Sequence, residues 1–128
     1  MTHQPVSPHW DEELVPTPSG QTQAPSPQCP VEVSLAAISG RWTTLVLRNL
    51  MSAESHSYTE LAHSLPQLSD KVLTDRLRHL IEANLVERLA TPSFPTRTTY
   101  RLTTRGQALR PLLIELYRTG LTLQQDET

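Results

Sequence analysis

The sequence predicts a mainly helical fold carrying one small β-hairpin, an α+β domain, and three observations point to it. Apolar residues recur at helical spacing in successive segments between Cys29 and Gln124. A short alternating run, Leu85–Leu89, and a second run rich in β-branched and aromatic residues, Thr98–Leu102, flank a proline-containing loop near residue 94. Before Cys29 the apolar residues show no period at all.

A chain of 128 residues suits one domain with one modest core. Residues 1–28 hold six of the eleven prolines among Ser, Thr and Gln, and Val6, Trp10, Leu14 and Val15 fall on no common face. A disordered, Pro-rich tail is expected there, with the folded domain at 29–124. His3 and His9 lie in that tail and support no metal site.

Order is expected to begin at Cys29-Pro30. Val31, Leu35 and Ile38 recur at i, i+4, i+7 until Gly40 interrupts, and Trp42, Leu45, Val46 and Asn49 form a second helical stripe. Residues His56 to Tyr58 are too few to show a period. Thr59 is the expected N-cap of a short third helix through Leu61 and Leu65, which Pro66 must end. Ser69 caps the fourth helix, Asp70 suits its positive end, and Leu73, Leu77 and Leu80 make its buried stripe, with the helix ending near Asn84.

Leu85–Leu89 and Thr98–Leu102 then read as the two strands of a hairpin. Leu109, Leu112, Leu113, Leu116, Gly120 and Leu123 continue one apolar stripe on a last helix starting around Thr104. Pro111 inside it predicts either a local bend or a second helix start.

Helix, helix, turn, helix and hairpin is the order of a winged helix-turn-helix, in which the later helix enters the major groove of DNA and the hairpin reaches the flanking backbone. Charge agrees with this. The formal net charge of −2 hides an uneven distribution: from Lys71 to Arg110 there are eight bases against Asp75, Glu82 and Glu87. At 100° per residue, Lys71, Thr74, Asp75 and Arg78 share an arc of roughly 100°, with the three leucines on the far side. Lys71 and Arg78 suit phosphates or guanine edges, Thr74 a phosphate or thymine methyl, and Asp75 a cytosine amino group or a neighbouring Arg. In the hairpin, Arg97 is the expected wing-tip contact beside Thr96 and Arg88, while Arg88 and Arg101 are also candidates for cross-strand pairs with Glu87.

The segments Cys29-Pro30-Val31-Glu32, Ile38-Ser39-Gly40-Arg41-Trp42, Tyr58-Thr59-Glu60-Leu61, Ser69 to Leu77 and Tyr100-Arg101-Leu102-Thr103 together resemble the successive signatures of HxlR-type transcription regulators. The resemblance implies a homodimer built from the first and last helices, a recognition helix at about 69–83 beginning at Ser69, and a wing at about 90–98. A palindromic operator and repression are the expected mode of action. Val31, Leu35, Leu109, Leu112, Leu113, Leu116 and Leu123 are the expected dimer contacts. The chain departs from the family pattern at Ser39, Tyr58 and Thr96, and the acidic Asp75 and the adjacent Arg76 leave the operator sequence open.

Cys29 is the chain's one cysteine, which leaves three roles open: a buried thiol, a reactive thiol, or half of a bridge between subunits. The resemblance adds an expectation of oxidant or electrophile sensing at this position. A helix start or a cation such as Arg41 would favour the thiolate such chemistry needs.

Other functions find little in the residues. The histidines at 56, 63 and 79 stand in different expected elements, no glycine-rich phosphate loop is present, and neither catalytic residues, a metal nor a cofactor is expected. No apolar run approaches the length of a membrane span, and a cytoplasmic location is expected. The rival reading is a winged helix used for protein contact, which would replace Lys71, Arg78 and Arg97 with exposed apolar residues. Double-stranded DNA and a second copy of the chain are therefore the expected partners, and the sequence names no small-molecule effector.

Overall fold

The computed structural model describes residues 11–17, 20, 24 and 26–125. Much of the expected disordered tail, with His3 and His9, lies outside these residues. The chain divides into two compact units, Met1–Ala37 and Ile38–Thr128.

In the first unit Asp11 closes a single turn, its carboxylate accepting from the Glu13 N–H at 2.9 Å and its carbonyl from Val15 N–H at 2.8 Å. Helix α1 spans Pro30–Ile38. Proline at its first position lacks an N–H that would have no helical partner there, and Glu32 in the first turn complements the helix dipole. Cys29 stands at the mouth of this helix, its carbonyl accepting from Val33 N–H at 2.9 Å, and it is half-buried.

The second unit runs α2 (Thr43–Leu50), β1 (His56–Ser57), α3 (Tyr58–Ser64), α4 (Asp70–Glu82), β2 (Val86–Thr91), β3 (Arg97–Leu102), α5 (Thr104–Gln107) and α6 (Arg110–Gln125). Its entry is a tight turn. Gly40 has φ of 99° and Trp42 of 74°, and the Arg76 guanidinium fills the space where a Gly40 β carbon would stand. Thr43 then donates its hydroxyl to the Ser39 carbonyl at 2.8 Å.

The third helix is capped by Ser57 rather than Thr59. Ser57 has the extended backbone a cap requires and lies three residues before Glu60, so hydroxyl and carboxylate close a reciprocal capping box. Thr59 is already inside the first turn. The Glu60 carboxyl consequently sits below its ordinary value, first because it accepts from the Ser57 N–H and next because of the Ser57 hydroxyl, against a smaller desolvation effect; the charges of His56 and Arg97 add to the lowering.

The hairpin expected from sequence is the larger part of a three-stranded antiparallel sheet ordered β1-β3-β2. Pairing runs from Val86 opposite Leu102 at the base to Thr91 opposite Arg97 at the outer end, with His56 opposite Tyr100 on the other edge. The wing loop is therefore residues 92–96. His56 is buried, with Nε2 3.1 Å from the Ser52 hydroxyl and Nδ1 unpartnered.

Leu47, Leu50, Leu61, Leu65 and Leu73 form the centre of the core with Val46 and Val86, each almost inaccessible, and Leu77, Leu80, Leu85 and Leu102 extend it. Burial of each such side chain stabilises the fold by about 1.5–3 kcal/mol. Pro111 marks a second helix start: α5 ends at Gln107 and α6 begins at Arg110. The expected dimer stripe is correspondingly divided, because Leu109 and Leu113 are buried in the unit's own core, Leu112 is half-buried, and Leu116 and Leu123 are exposed.

Thr103 and Gly106 lock the strand end to α5. Thr103 donates its hydroxyl to Asn84 O at 2.6 Å, its N–H to Leu85 O at 3.0 Å, and accepts from Gly106 N–H at 3.0 Å. Gly106 is buried so closely that a β carbon would collide with the Leu85 carbonyl oxygen.

Candidate nucleic-acid interface

Helix α4 separates its two faces cleanly. Ser69 caps it, its hydroxyl accepting from Val72 N–H at 3.2 Å, and Leu73, Leu77 and Leu80 are buried. On the outer side Lys71, Thr74 and Arg78 are exposed and Asp75 is half-buried. Asp75 does not stand unpaired: its Oδ1 lies 2.5 Å from Arg78 Nη2, one turn along, with side-chain exposures of 37% and 63%. That pair restrains the Arg78 guanidinium beside the helix, although in water it contributes little stability. Lys71 has no ion-pair partner among the described residues.

Tyr58 supplies a connection that sequence patterning did not reveal. Its hydroxyl donates to Asp70 Oδ1 at 3.0 Å and stands 3.5 Å from the Thr74 hydroxyl, tying the start of α3 to the outer face of α4. The signal available in sequence was an aromatic residue directly before a cap-rich helix start, which by itself does not specify a partner twelve residues on.

In the wing, Arg88, Thr96 and Arg97 are all exposed. Arg101 pairs with Glu87 across the strands, so its charge is partly spent on the sheet, whereas Arg88, opposite Tyr100, has no ion-pair partner among the described residues. Arg97 opens β3 at the outer end of the ladder. The second unit thus brings together the sequence-derived set on α4 and in the wing. Val31 and Leu35 are exposed on α1, and Cys29 belongs with them to the first unit.

A family model of the HxlR-like helix-turn-helix matches residues 37–127. The chain belongs to the HxlR-like helix-turn-helix family. Its relatives include the HTH-type transcriptional regulator YvaP of Bacillus subtilis, 37% identical over 92 residues that cover 71% of this chain and 84% of YvaP. A structure from Porphyromonas gingivalis W83, described as a transcriptional regulator of the MarR family, superposes with a TM-score of 0.69 at 29% identity, covering 77% of this chain and 96% of that one. The redox regulator HypR in its oxidised form superposes with a TM-score of 0.66 at 26% identity, over 73% of this chain and 96% of HypR.

Membership carries the coarse function: this HxlR-like chain is a DNA-binding transcriptional regulator with a winged helix-turn-helix fold. The residues matched by the family model begin at Ala37, so Cys29 precedes them. Among the described residues no helix is long and apolar enough to cross a membrane.

Proposed function

We propose that this HxlR-like regulator is a homodimeric repressor that reads a palindromic operator, with Ser69, Lys71, Thr74, Asp75 and Arg78 on α4 in the major groove and Arg88, Thr96 and Arg97 on the flanking backbone. The observation that carries the reading is the division of α4. Three leucines are buried on one side, while Lys71, Thr74 and Arg78 lie open on the other, and Arg88 and Arg97 are exposed in the wing of the same unit. A protein-docking winged helix would expose large apolar side chains on α4, and the exposed residues of this helix are polar.

The second copy has a surface to pack on. Leu116, Tyr117, Leu121 and Leu123 are exposed along α6 of the second unit, an apolar face not left in water at no cost, and in the first unit Val31, Val33 and Leu35 are exposed on α1. Two copies related by a two-fold axis would set their reading helices about 34 Å apart, one turn of DNA.

The test is selection of bound duplexes from genomic DNA, followed by titration of the selected operator at two salt concentrations, with sedimentation of the free protein. The expected species has twice the 14.4 kDa chain mass. Lys71→Ala and Arg97→Ala should each weaken binding, and Arg97→Ala should do so on any sequence while lowering the salt slope by about one. Unchanged titrations for both variants would remove this face from the DNA.

The same reading assigns signal reception to Cys29, supported by its place at the mouth of α1 and by likeness to a redox regulator. A diamide or quinone pulse should change operator affinity in the wild type and leave Cys29→Ser unaffected; equal responses from the two would end the assignment.

A further inference from the structure

The tip of the wing carries a side chain that none of the DNA contacts above uses. Phe94 is the chain's one phenylalanine, and its exposure of 105% exceeds that of every other large apolar residue described. The next most exposed, Leu14, reaches 73%. A phenyl ring held wholly in water forgoes a few kcal/mol of burial, so its position asks for an occupant that covers it.

The loop presenting it is stiff. Pro92 and Pro95 restrict the backbone on either side, and the Ser93 hydroxyl donates to the Pro95 carbonyl at 2.7 Å across Phe94. The ring therefore projects from a restricted backbone. The strands below it are basic: from Arg88 to Arg101 the chain has three arginines and no carboxylate, with Arg97 exposed at the foot of the loop, opposite Thr91, and Arg88 exposed three positions further down β2, opposite Tyr100. An apolar tip carried above exposed guanidinium groups suits a polyanion with an apolar floor. The minor groove of DNA has that character, with phosphates along both walls and sugar and base edges between them.

We infer that Phe94 is a minor-groove wedge: Arg97 at the foot of the loop and Arg88 further down β2 hold the phosphate backbone while the phenyl ring enters the groove flanking each half-site and opens one base step. This deepens the DNA-binding reading and rests on it. It also gives the protein a source of sequence preference outside the bases that α4 can reach, because pyrimidine–purine steps unstack more readily than others. The wing then discriminates by deformability and α4 by direct contact.

The experiment uses the full chain and 30-base-pair duplexes built on the selected operator, carrying TA or GG at the flanking step and a fluorescent donor and acceptor at the two ends. Wild-type protein should prefer the TA duplex roughly tenfold and raise energy transfer on binding, as a bend requires. Phe94→Ala should bring the preference to within about twofold and remove most of the bend, while Phe94→Trp retains both. Lys71→Ala should weaken both duplexes alike and keep the preference, which separates failure of this inference from failure of the α4 assignment. Because Phe94 touches no core residue, the alanine variant should melt with the wild type. Equal preference and equal energy transfer in wild type and Phe94→Ala would overturn the wedge, as would a loss in Phe94→Ala that is uniform over the two duplexes. A wild-type protein without bend or flank preference would overturn it too.

Discussion

Gly106→Ala is expected to unfold the second unit or leave it several kcal/mol less stable, whereas Gly120→Ala should stabilise it. Both glycines sit in helices, so propensity alone predicts a gain of about 0.5–1 kcal/mol at each. The surroundings decide otherwise at Gly106. A β carbon there meets the Leu85 carbonyl oxygen, with the carbonyl carbon at 3.0 Å, and those are backbone atoms held by the Thr103 N–H. Relief requires α5 to lift from Leu85, directly before β2, and a loss of about 4 kcal/mol or more is a large share of a small domain's total stability. At Gly120 nothing stands within 4 Å of an added β carbon. Thermal denaturation of the two variants should give melting shifts of opposite sign; a shift of the same sign in both would remove the close-approach argument.

Arg78→Ala should weaken operator binding roughly 5- to 150-fold, corresponding to about 1–3 kcal/mol for a guanidinium that reads a base edge. Asp75→Ala is the more telling variant. Removing the carboxylate takes a negative charge from the reading face, so affinity for unrelated duplex should rise a few-fold. It also releases Arg78 from the contact at 2.5 Å that fixes its direction. Operator and non-operator affinities should therefore converge, a loss of specificity with a gain in bulk binding. Competition between the operator and a scrambled duplex measures the ratio directly. If Asp75→Ala preserves the ratio, the pair does not orient Arg78 on DNA.

Much of the second unit could be read from residue order because its helices are amphipathic and capped. Leu73, Leu77 and Leu80 announce α4, Ser69 announces its start, and Pro111 announces the break before α6. Strand β1 could not be read, since two residues have no period and become a strand by pairing with Thr99 and Tyr100 more than forty positions on. The same dependence on tertiary packing divided the last stripe: spacing places Leu109, Leu113, Leu116 and Leu123 on one helix side, but packing leaves Leu109 and Leu113 buried and Leu116 and Leu123 exposed. At the candidate site, residue types singled out Lys71, Thr74, Arg78 and Arg97, which are exposed, and allowed for both the Asp75–Arg78 and Arg101–Glu87 pairs. They missed Tyr58, whose partner is fixed by the packing of α3 on α4, and Phe94, because the exposure of a loop side chain follows from no pattern.

The two-faced build of α4 bears on how regulators of this kind diversify. Its leucines answer to the core and its outer residues to solvent or DNA, so a change at Lys71, Thr74 or Asp75 should move stability by no more than about 0.5 kcal/mol. A duplicated gene could thus acquire a new target one outward residue at a time, each intermediate remaining folded. Selection on the operator and selection on the fold fall on different letters of the same thirteen-residue helix.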